Sequence, residues 1–301
     1  MTVPADDGRA PLSACSPHCS VSPVTTTADR LPHALDAEAV AERLDGRRPA
    51  VFLDYDGVLT PIVPRPEDAI MSERMRDVVR ALAARCPVCV VSGRDRGVVT
   101  ELMGVDDLVV AGSHGFDIHD PARGVVEHEA SRGWEDLVAE VTERVRTSAA
   151  DIEGTQVEPK YASVALHDRH VADADRPRVD ALVEAVLAEH PGRLRVTPGK
   201  FVHEIQPKID WNKGKAVEHL IGVLDLDRPG PDGRPTVPIY LGDDITDEDA
   251  FRALAQRGDH GEPGLGILVI DPADAPGRET AATAVLATVD EVGRFLDGLA
   301  R

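Results

Sequence analysis

Apolar and polar residues follow two different periods along the chain, and the change from one to the other outlines the fold. Short apolar runs that stop at polar clusters occur at 49–57, 88–94 and 235–244, and each predicts a strand. Apolar residues at helical spacing lie between these runs, as in the predicted helix 213–224. Strands that alternate with amphipathic helices predict an α/β fold, a doubly wound parallel sheet covered by helices on both faces.

The same patterns predict the remaining elements of this core. Further helices are predicted at 36–46, 72–86, 94–104, 248–254 and 289–299, and a last strand at 266–270.

The rhythm changes in the middle of the chain, where two helical patterns are separated by short strands. The predicted order is a helix at 132–149, a strand at 161–167, a helix at 175–189 and strands at 194–196 and 201–205. This order is typical of an inserted α+β cap domain.

Three regions follow from these patterns. Residues 31–116 and 208–301 form the predicted core domain, and residues 117–207 form the predicted cap. Residues 1–30 are rich in Pro, Ser, Thr and Ala without either period, which predicts a disordered N-terminal tail.

Charge excludes two classes of partner. The chain has 53 Asp and Glu against 33 Lys and Arg, and its formal net charge of -20 repels nucleic acid and anionic membrane surfaces. The sequence has no apolar run near the roughly 18 residues of a membrane span, and its first thirty residues lack an apolar signal core. We therefore expect a cytoplasmic protein whose partner is a small molecule.

Polar clusters end three of the predicted strands. They are Asp54 to Gly57, Ser92 to Arg94, and Gly242 to Asp244. Because the carboxyl ends of strands in an open parallel sheet meet at one crevice, we expect the three clusters to share one site.

Clustered carboxylates predict a divalent cation at this site, because several negative charges close together are costly without one. Mg²⁺ prefers hard oxygen ligands, and no His/Cys set has zinc spacing. The predicted metal ligands are Asp54, Asp56, Asp243, Asp244 and Asp247.

Two aspartates separated by one residue favour phosphoryl transfer through a covalent intermediate. Asp54 is the candidate nucleophile, and Asp56 the candidate acid and base that protonates the leaving oxygen and later activates water. Ser92 and Lys213 are the candidate donors to the phosphate oxygens. Lys213 follows Asn212 at the start of a predicted helix, whose dipole also attracts anions.

Four motifs in this order resemble those of the haloacid dehalogenase-like phosphatases: DYDGVLTP, SGR, the NKG lysine and GDDITDED. Within that superfamily, the segments VEPKYASVALHDR, GKFVHEIQPKIDWNKGKA and YLGDDITDEDAF resemble the trehalose-6-phosphate phosphatase family. The resemblance implies the roles given above, a mobile cap that closes over the sugar, and functional coupling to a trehalose-phosphate synthase. It implies substrate contacts at Arg94, His114, Glu158, Lys160, Arg169, Lys200 and Glu204.

Other functions stay open at this point. Another sugar-phosphate phosphatase or a phosphosugar mutase would share the core and differ in the cap. A metal-dependent glycosyltransferase would use Asp54 and Asp56 as a metal-binding pair, which leaves Lys213 and the second acidic cluster without a role. A non-catalytic binding module is a third alternative, and the presence of every expected catalytic residue argues against it.

Overall fold

The computed structural model describes residues 26–128, 133–199, 201–257 and 263–301. The strands of these residues are β1 (Thr26–Thr27), β2 (Arg48–Leu53), β3 (Val88–Val91), β4 (Val109–Gly112), β5 (Asp117–Asp120), β6 (Gly124–Val125), β7 (Gln156–Pro159), β8 (Val164–His167), β9 (Leu194–Gly199), β10 (Val202–Pro207), β11 (Thr236–Gly242), β12 (Leu265–Val269), β13 (Glu279–Thr280) and β14 (Ala284–Leu286). Their α-helices are α1 (Glu38–Leu44), α2 (Glu73–Ala83), α3 (Arg96–Met103), α4 (Glu135–Ala149), α5 (Arg176–Glu189), α6 (Lys213–Val223), α7 (Glu248–Gln256) and α8 (Val289–Ala300).

The core is built on one eight-stranded sheet with the order β14-β12-β11-β2-β3-β4-β5-β6. The strands from β14 to β4 run parallel, and β5 and β6 continue the sheet in antiparallel fashion. Side chains of β2 alternate between the faces: Val51 and Leu53 pack with α2 and α8, whereas Ala50 and Phe52 pack with α6 and α7. This arrangement confirms the predicted doubly wound α/β core.

The helix α6 places a functional lysine because its start is well defined. The Asn212 side chain accepts a hydrogen bond from the Lys215 N–H at 2.9 Å, which caps the helix. Ala216 and Leu220 are fully buried against the sheet, as their helical spacing predicts. Lys213, the first residue of the helix, is thereby held at the carboxyl edge of the sheet.

The inserted part is a second layered unit, an antiparallel sheet with the order β7-β8-β10-β9. Helices α4 and α5 cover one face through an apolar cluster that includes Val145, Val183 and Ile205. Because side chains alternate along β10, Glu204 points to the opposite face, which is open towards the core.

Two predicted boundaries differ from the structure. Residues 117–125 were assigned to the cap, but β5 and β6 extend the core sheet, because β5 pairs with β4 immediately after a tight turn. Residues 26–30 were assigned to the disordered tail, but Thr26 pairs with Thr280 and Ala28 is buried. The tail residues 1–25 lie outside the described residues.

Within the described part of the chain, no helix has both the length and the apolar composition needed to cross a membrane.

Candidate active site

The carboxyl ends of β2, β3 and β11 meet at one edge of the core sheet. Their register aligns Leu53 with Val90 on one side and with Leu241 on the other. Asp54, Ser92 and Asp243 each follow at or near these strand ends, so the structure brings the three polar clusters together. A cleft of about 800 Å³ opens over them and is also lined by cap residues.

Asp54 lies at the base of this cleft and is almost fully buried. Its Oδ1 accepts the Tyr55 N–H at 2.7 Å, and its Oδ2 accepts a bond from Lys213 Nζ at 2.7 Å. Burial raises the pKa of the Asp54 carboxyl, and the charge of Lys213 opposes that rise. One oxygen is thus held by the backbone and the other by a cation.

Lys213 is the buried cation of the site, with 2% of its side chain exposed. Its Nζ lies 2.7 Å from Asp54 Oδ2 and 2.7 Å from Asp247 Oδ1. Burial alone would lower the pKa of Lys213, but the two carboxylates outweigh it and raise the pKa. Lys213 is therefore charged throughout the physiological pH range.

Asp247 organises the loop that follows β11. Its Oδ2 accepts the N–H groups of Asp243 at 2.9 Å and Asp244 at 3.0 Å, and its Oδ1 accepts the Tyr240 hydroxyl at 2.6 Å. Gly242 permits this wrapping, because a Cβ there would lie 2.3 Å from Asp247 Cγ. The loop is consequently closed around a fully buried carboxylate.

Three carboxylates could hold a metal ion. Asp54, Asp244 and Asp247 each offer an oxygen, and these oxygens lie within 4.8 Å of one another. Asp243 lies beside the group, and burial and the charges of Asp247 and Asp244 raise its pKa to about 7. Lys213 supplies one positive charge against these acids. The oxygen donors and the excess negative charge both fit a hard divalent cation.

Two of the predicted metal ligands, Asp56 and Asp243, are not part of this group of three carboxylates. The Asp56 carboxylate is bound by Arg94, with Nε and Nη2 each 2.7 Å from its oxygens. Asp243 packs over Gly57, where a Cβ would lie 2.1 Å from Asp243 Oδ2, and Gly57 has a φ of 71°. The aspartate-rich motif thus needs its glycine both for the turn and for the approach of the second acidic loop.

Arg94 lines the large cleft, and its guanidinium is held there by groups of the core. Besides Asp56, its Nη1 donates to the Pro66 carbonyl at 2.8 Å. Its backbone N–H donates to the Ser92 hydroxyl oxygen at 3.1 Å. Although Arg94 was expected to contact substrate, in this state it holds the candidate general acid.

His114 lines both clefts, and buried Ser92 lies directly before the cleft residue Gly93. Ser92 is buried, and its carbonyl accepts the His114 N–H at 2.8 Å. The His114 ring lies against Gly93, where a Cβ would come within 2.7 Å of Cε1. Burial, assisted by the charge of Lys213, lowers the pKa of His114 to about 4. His114 is therefore neutral at pH 7 and can either donate or accept a hydrogen bond.

The cap contributes charged side chains from its open face. Glu204 Oε1 accepts the Ser163 hydroxyl at 2.7 Å, and Glu204 Oε2 lies 3.6 Å from Lys160 Nζ. Glu158 and Lys160 line the 800 Å³ cleft, and Glu204 lines a neighbouring cleft of about 560 Å³. His114 and Lys213 line both clefts, so the two spaces adjoin at the phosphate end of the site.

One predicted substrate contact, Arg169, is not brought to the site, and another, Lys200, falls on a residue that the structure does not describe. Arg169 is exposed, and its guanidinium lies 5.7 Å from the centre of the Phe201 ring, outside both clefts of the described residues.

Sequence reasoning missed several polar residues of the site. Tyr240 sits in an apolar strand and looked like a core residue, yet its hydroxyl binds Asp247. His167 lines the large cleft and its Nε2 lies 2.8 Å from Glu158 Oε2. Strand alternation could have found His167, because it places Ala165 and His167 on one face of β8.

Comparison with known proteins identifies a family for this chain. A family model described as trehalose-phosphatase matches residues 52–289. An uncharacterized glycosyl hydrolase of Mycobacterium tuberculosis is 42% identical over 272 residues, which cover 90% of this chain and 20% of that protein. A trehalose-phosphate phosphatase of Mycobacterium bovis is 40% identical over 273 residues, which cover 90% of this chain and 66% of that protein. The chain thus spans only part of the length of both relatives.

Among solved structures, the C-terminal domain of Candida albicans trehalose-6-phosphate phosphatase superposes with a TM-score of 0.67 at 23% identity. The match covers 90% of this chain and 98% of that one. At this identity the likeness shows that the two chains share a fold.

Proposed function

Because this chain belongs to the trehalose-phosphatase family, we propose that it hydrolyses trehalose 6-phosphate to trehalose and phosphate through an aspartyl-phosphate intermediate on Asp54. The observation that carries the proposal is the buried Asp54–Lys213–Asp247 arrangement, which opens into a cleft faced by the cap sheet. A nucleotide-sugar glycosyltransferase has no use for such a buried lysine at the nucleophile.

In the first half of the proposed reaction, an Asp54 oxygen forms a bond to phosphorus while the bond from phosphorus to the sugar oxygen breaks. Asp56 gives its proton to that leaving oxygen. In the second half, water attacks phosphorus, Asp56 takes the proton of the water, and the bond to Asp54 breaks. Asp56 must exchange its partner Arg94 for these groups, because the two side chains are paired in the present state.

The charge that develops on the phosphoryl oxygens needs fixed donors. Lys213 Nζ lies 2.7 Å from Asp54 Oδ2 at the base of the cleft, and Ser92 is buried directly after β3, the strand next to β2. Asp54, Asp244 and Asp247 would hold the Mg²⁺ ion that we propose as cofactor. When bound, that ion supplies charge neutralisation between the carboxylates and the phosphate.

We expect phosphate release to stop in excess chelator and to return when Mg²⁺ is added, because the acidic group has too little positive charge of its own. Asp244→Ala removes one oxygen donor of the group and should raise the Mg²⁺ concentration for half-maximal activity about 10-fold or more. Thermal unfolding gives an independent readout: saturating Mg²⁺ should raise the wild-type midpoint and raise the midpoint of Asp244→Ala less.

The control for this comparison is Asp106→Ala, which removes an exposed carboxylate outside the site. It should respond to Mg²⁺ like the wild-type protein. Full turnover in excess chelator would contradict the metal requirement.

The cap sheet supports the choice of a disaccharide phosphate. Its open face presents carboxylate, amine, imidazole and hydroxyl groups towards the cleft, and these suit the hydroxyl groups of a sugar. A polar pocket built around hydroxyls discriminates strongly, because its own groups stay unpaired with the wrong ligand. Another sugar-phosphate phosphatase of the superfamily would share the core, so the cap must decide between the substrates.

We expect Glu204→Ala to lower kcat/KM for trehalose 6-phosphate by about 10²-fold and to change the hydrolysis of a small aryl phosphate by less than about 2-fold. The reason is that remote binding energy orients the phosphate only when the substrate reaches the cap. Phosphate release with trehalose 6-phosphate, glucose 6-phosphate and the aryl phosphate measures both specificity and function.

Glu184→Ala is the matched control, because Glu184 is exposed on α5, away from the open face of the cap sheet. Equal losses on both substrates would make Glu204 structural. If the wild-type protein hydrolyses glucose 6-phosphate faster than trehalose 6-phosphate, the proposed substrate is wrong. The cytoplasmic location and the coupling to a trehalose-phosphate synthase stay proposals from the sequence.

A further inference from the structure

The Asp95 side chain does not make the hydrogen bond that its position at the start of a helix predicts. Asp95 immediately precedes α3, where an aspartate normally accepts an N–H group from the first turn of its own helix. Its side chain makes no such cap bond. Instead, Asp95 Oδ1 accepts the Ser113 hydroxyl at 2.7 Å and the Tyr161 backbone N–H at 3.2 Å, and Oδ2 lies 3.3 Å from the same N–H.

This carboxylate joins the core to the cap. Ser113 follows β4 in the core, whereas Tyr161 lies in the cap turn formed by residues 160–163. The turn is closed by the Lys160 N–H, which donates to the Ser163 carbonyl at 2.9 Å. Asp95 is therefore a core acceptor for a backbone donor of the cap.

The core side of the contact is rigid. Ser113 has a left-handed backbone with a φ of 50°, and its N–H donates to the Arg94 carbonyl at 2.7 Å. Gly112 lets this turn approach α3, since a Cβ there would lie 2.4 Å from the Arg96 nitrogen. Such a backbone is maintained only when its surroundings hold it, and here they aim the Ser113 hydroxyl at Asp95.

The cap side of the contact carries the groups that face the sugar. Lys160 and Ser163, the two ends of the turn, both contact Glu204. The Tyr161 ring packs edge-on against Trp134 with a centroid distance of 5.2 Å. A shift of the turn relative to Asp95 would therefore move Lys160 and Glu204 relative to the phosphate site.

We propose that Asp95 is a positioning residue that docks the cap turn 160–163 onto the core and so sets the distance between Glu204 and the phosphate site. The docking itself stands on the contacts above. Its consequence for the disaccharide rests on the proposed function. Asp95 lines the large cleft, but within the described residues it makes no hydrogen bond to Asp54 or Lys213. A loss confined to the substrate that reaches the cap therefore distinguishes an effect through the cap from a direct effect on the phosphate.

The experiment compares Asp95→Ala, which loses the acceptor, with Asp95→Asn, which keeps an acceptor oxygen, and with the exposed-site control Asp106→Ala. Hydrogen exchange at the Tyr161 amide of the full chain reports the docking directly, without any substrate. We expect exchange about 10-fold faster in Asp95→Ala, and wild-type exchange in the other two variants.

Steady-state kinetics on the same preparations report the consequence. Asp95→Ala should lower kcat/KM for trehalose 6-phosphate about 10-fold and leave aryl phosphate hydrolysis within about 2-fold, with Asp95→Asn close to wild type. Tyr161→Pro removes the N–H donor from the opposite side and must reproduce the selective loss, whereas Tyr161→Phe keeps the donor and must not.

The outcomes separate the two proposals. Unchanged Tyr161 exchange in Asp95→Ala would overturn the docking, and equal losses on both substrates would overturn the positioning role. If the wild-type protein does not cleave trehalose 6-phosphate, the proposed function fails, while the exchange measurement still decides whether Asp95 docks the cap.

Discussion

Asp54→Asn is expected to lower the turnover of trehalose 6-phosphate by about 10⁴-fold or more, the scale of loss seen when a covalent nucleophile is removed. An amide oxygen keeps the shape of the side chain but is far less nucleophilic than a carboxylate. The fold should survive, because Lys213 keeps its second partner Asp247 at 2.7 Å and burial already disfavours the charge on Asp54. Phosphate release and thermal unfolding of the same preparation measure the two effects.

The matched control for this variant is Asp106→Asn, the same chemical change at an exposed position. It should retain wild-type turnover. Stable folding combined with wild-type turnover in Asp54→Asn would mean that phosphorus is attacked by water directly, and the covalent mechanism would be wrong.

Lys213→Met should be the most destabilising change in the site, lowering the free energy of unfolding by about 3–5 kcal/mol. The physical reason is that Asp54 and Asp247 are both buried and would lose the cation they share. Turnover should also fall by about 10²- to 10³-fold, because a fixed donor to the phosphoryl oxygens is lost. Urea unfolding without metal measures the loss of stability, and phosphate release at saturating Mg²⁺ measures the loss of turnover.

Lys215→Met is the control in the same helix, because among the described residues the Lys215 amine contacts only the carboxylate and the carbonyl of Asp210, at the surface. Exposed ion pairs contribute roughly 0–1 kcal/mol, so this variant should remain close to wild type in stability and activity. Similar unfolding free energies for the two variants would show that the Lys213 pairs are not stabilising. Partial recovery of Lys213→Met stability by Mg²⁺ is expected, since the ion neutralises the same carboxylates.

Local pattern was sufficient to predict the main elements of this protein. The apolar stripe of α6 and the continuous apolar run of β2 are each set by a few neighbouring residues, and the structure has both. The edge strands β5 and β6 were not predicted as part of the core sheet. They are short and have no continuous apolar run, and only the pairing of β5 with β4 and of β6 with β5 identifies their place.

Some contacts between site residues could be predicted from the sequence, and others could not. Asp54 and Lys213 meet although they are 159 residues apart, and their meeting could be anticipated because each lies at the end or start of a strongly patterned element. The pairing of Asp56 with Arg94 could not be anticipated, because the sequence leaves each side chain free to face either the metal group or the cleft. That Asp56 pairs with Arg94, and is not part of the group formed by Asp54, Asp244 and Asp247, is thus a result of packing.

The sequence by itself determined the order of the elements, the doubly wound core with its inserted cap, and the candidate residues for phosphoryl transfer, because hydrophobic period and motif spacing are local properties. Only the tertiary structure decided which carboxylates share an oxygen cluster, that Arg169 stacks on Phe201, and that Asp95 reaches the cap at Tyr161. These choices depend on distances between segments far apart in the chain. Such distances are determined by how the layers pack, and no short window of sequence contains them.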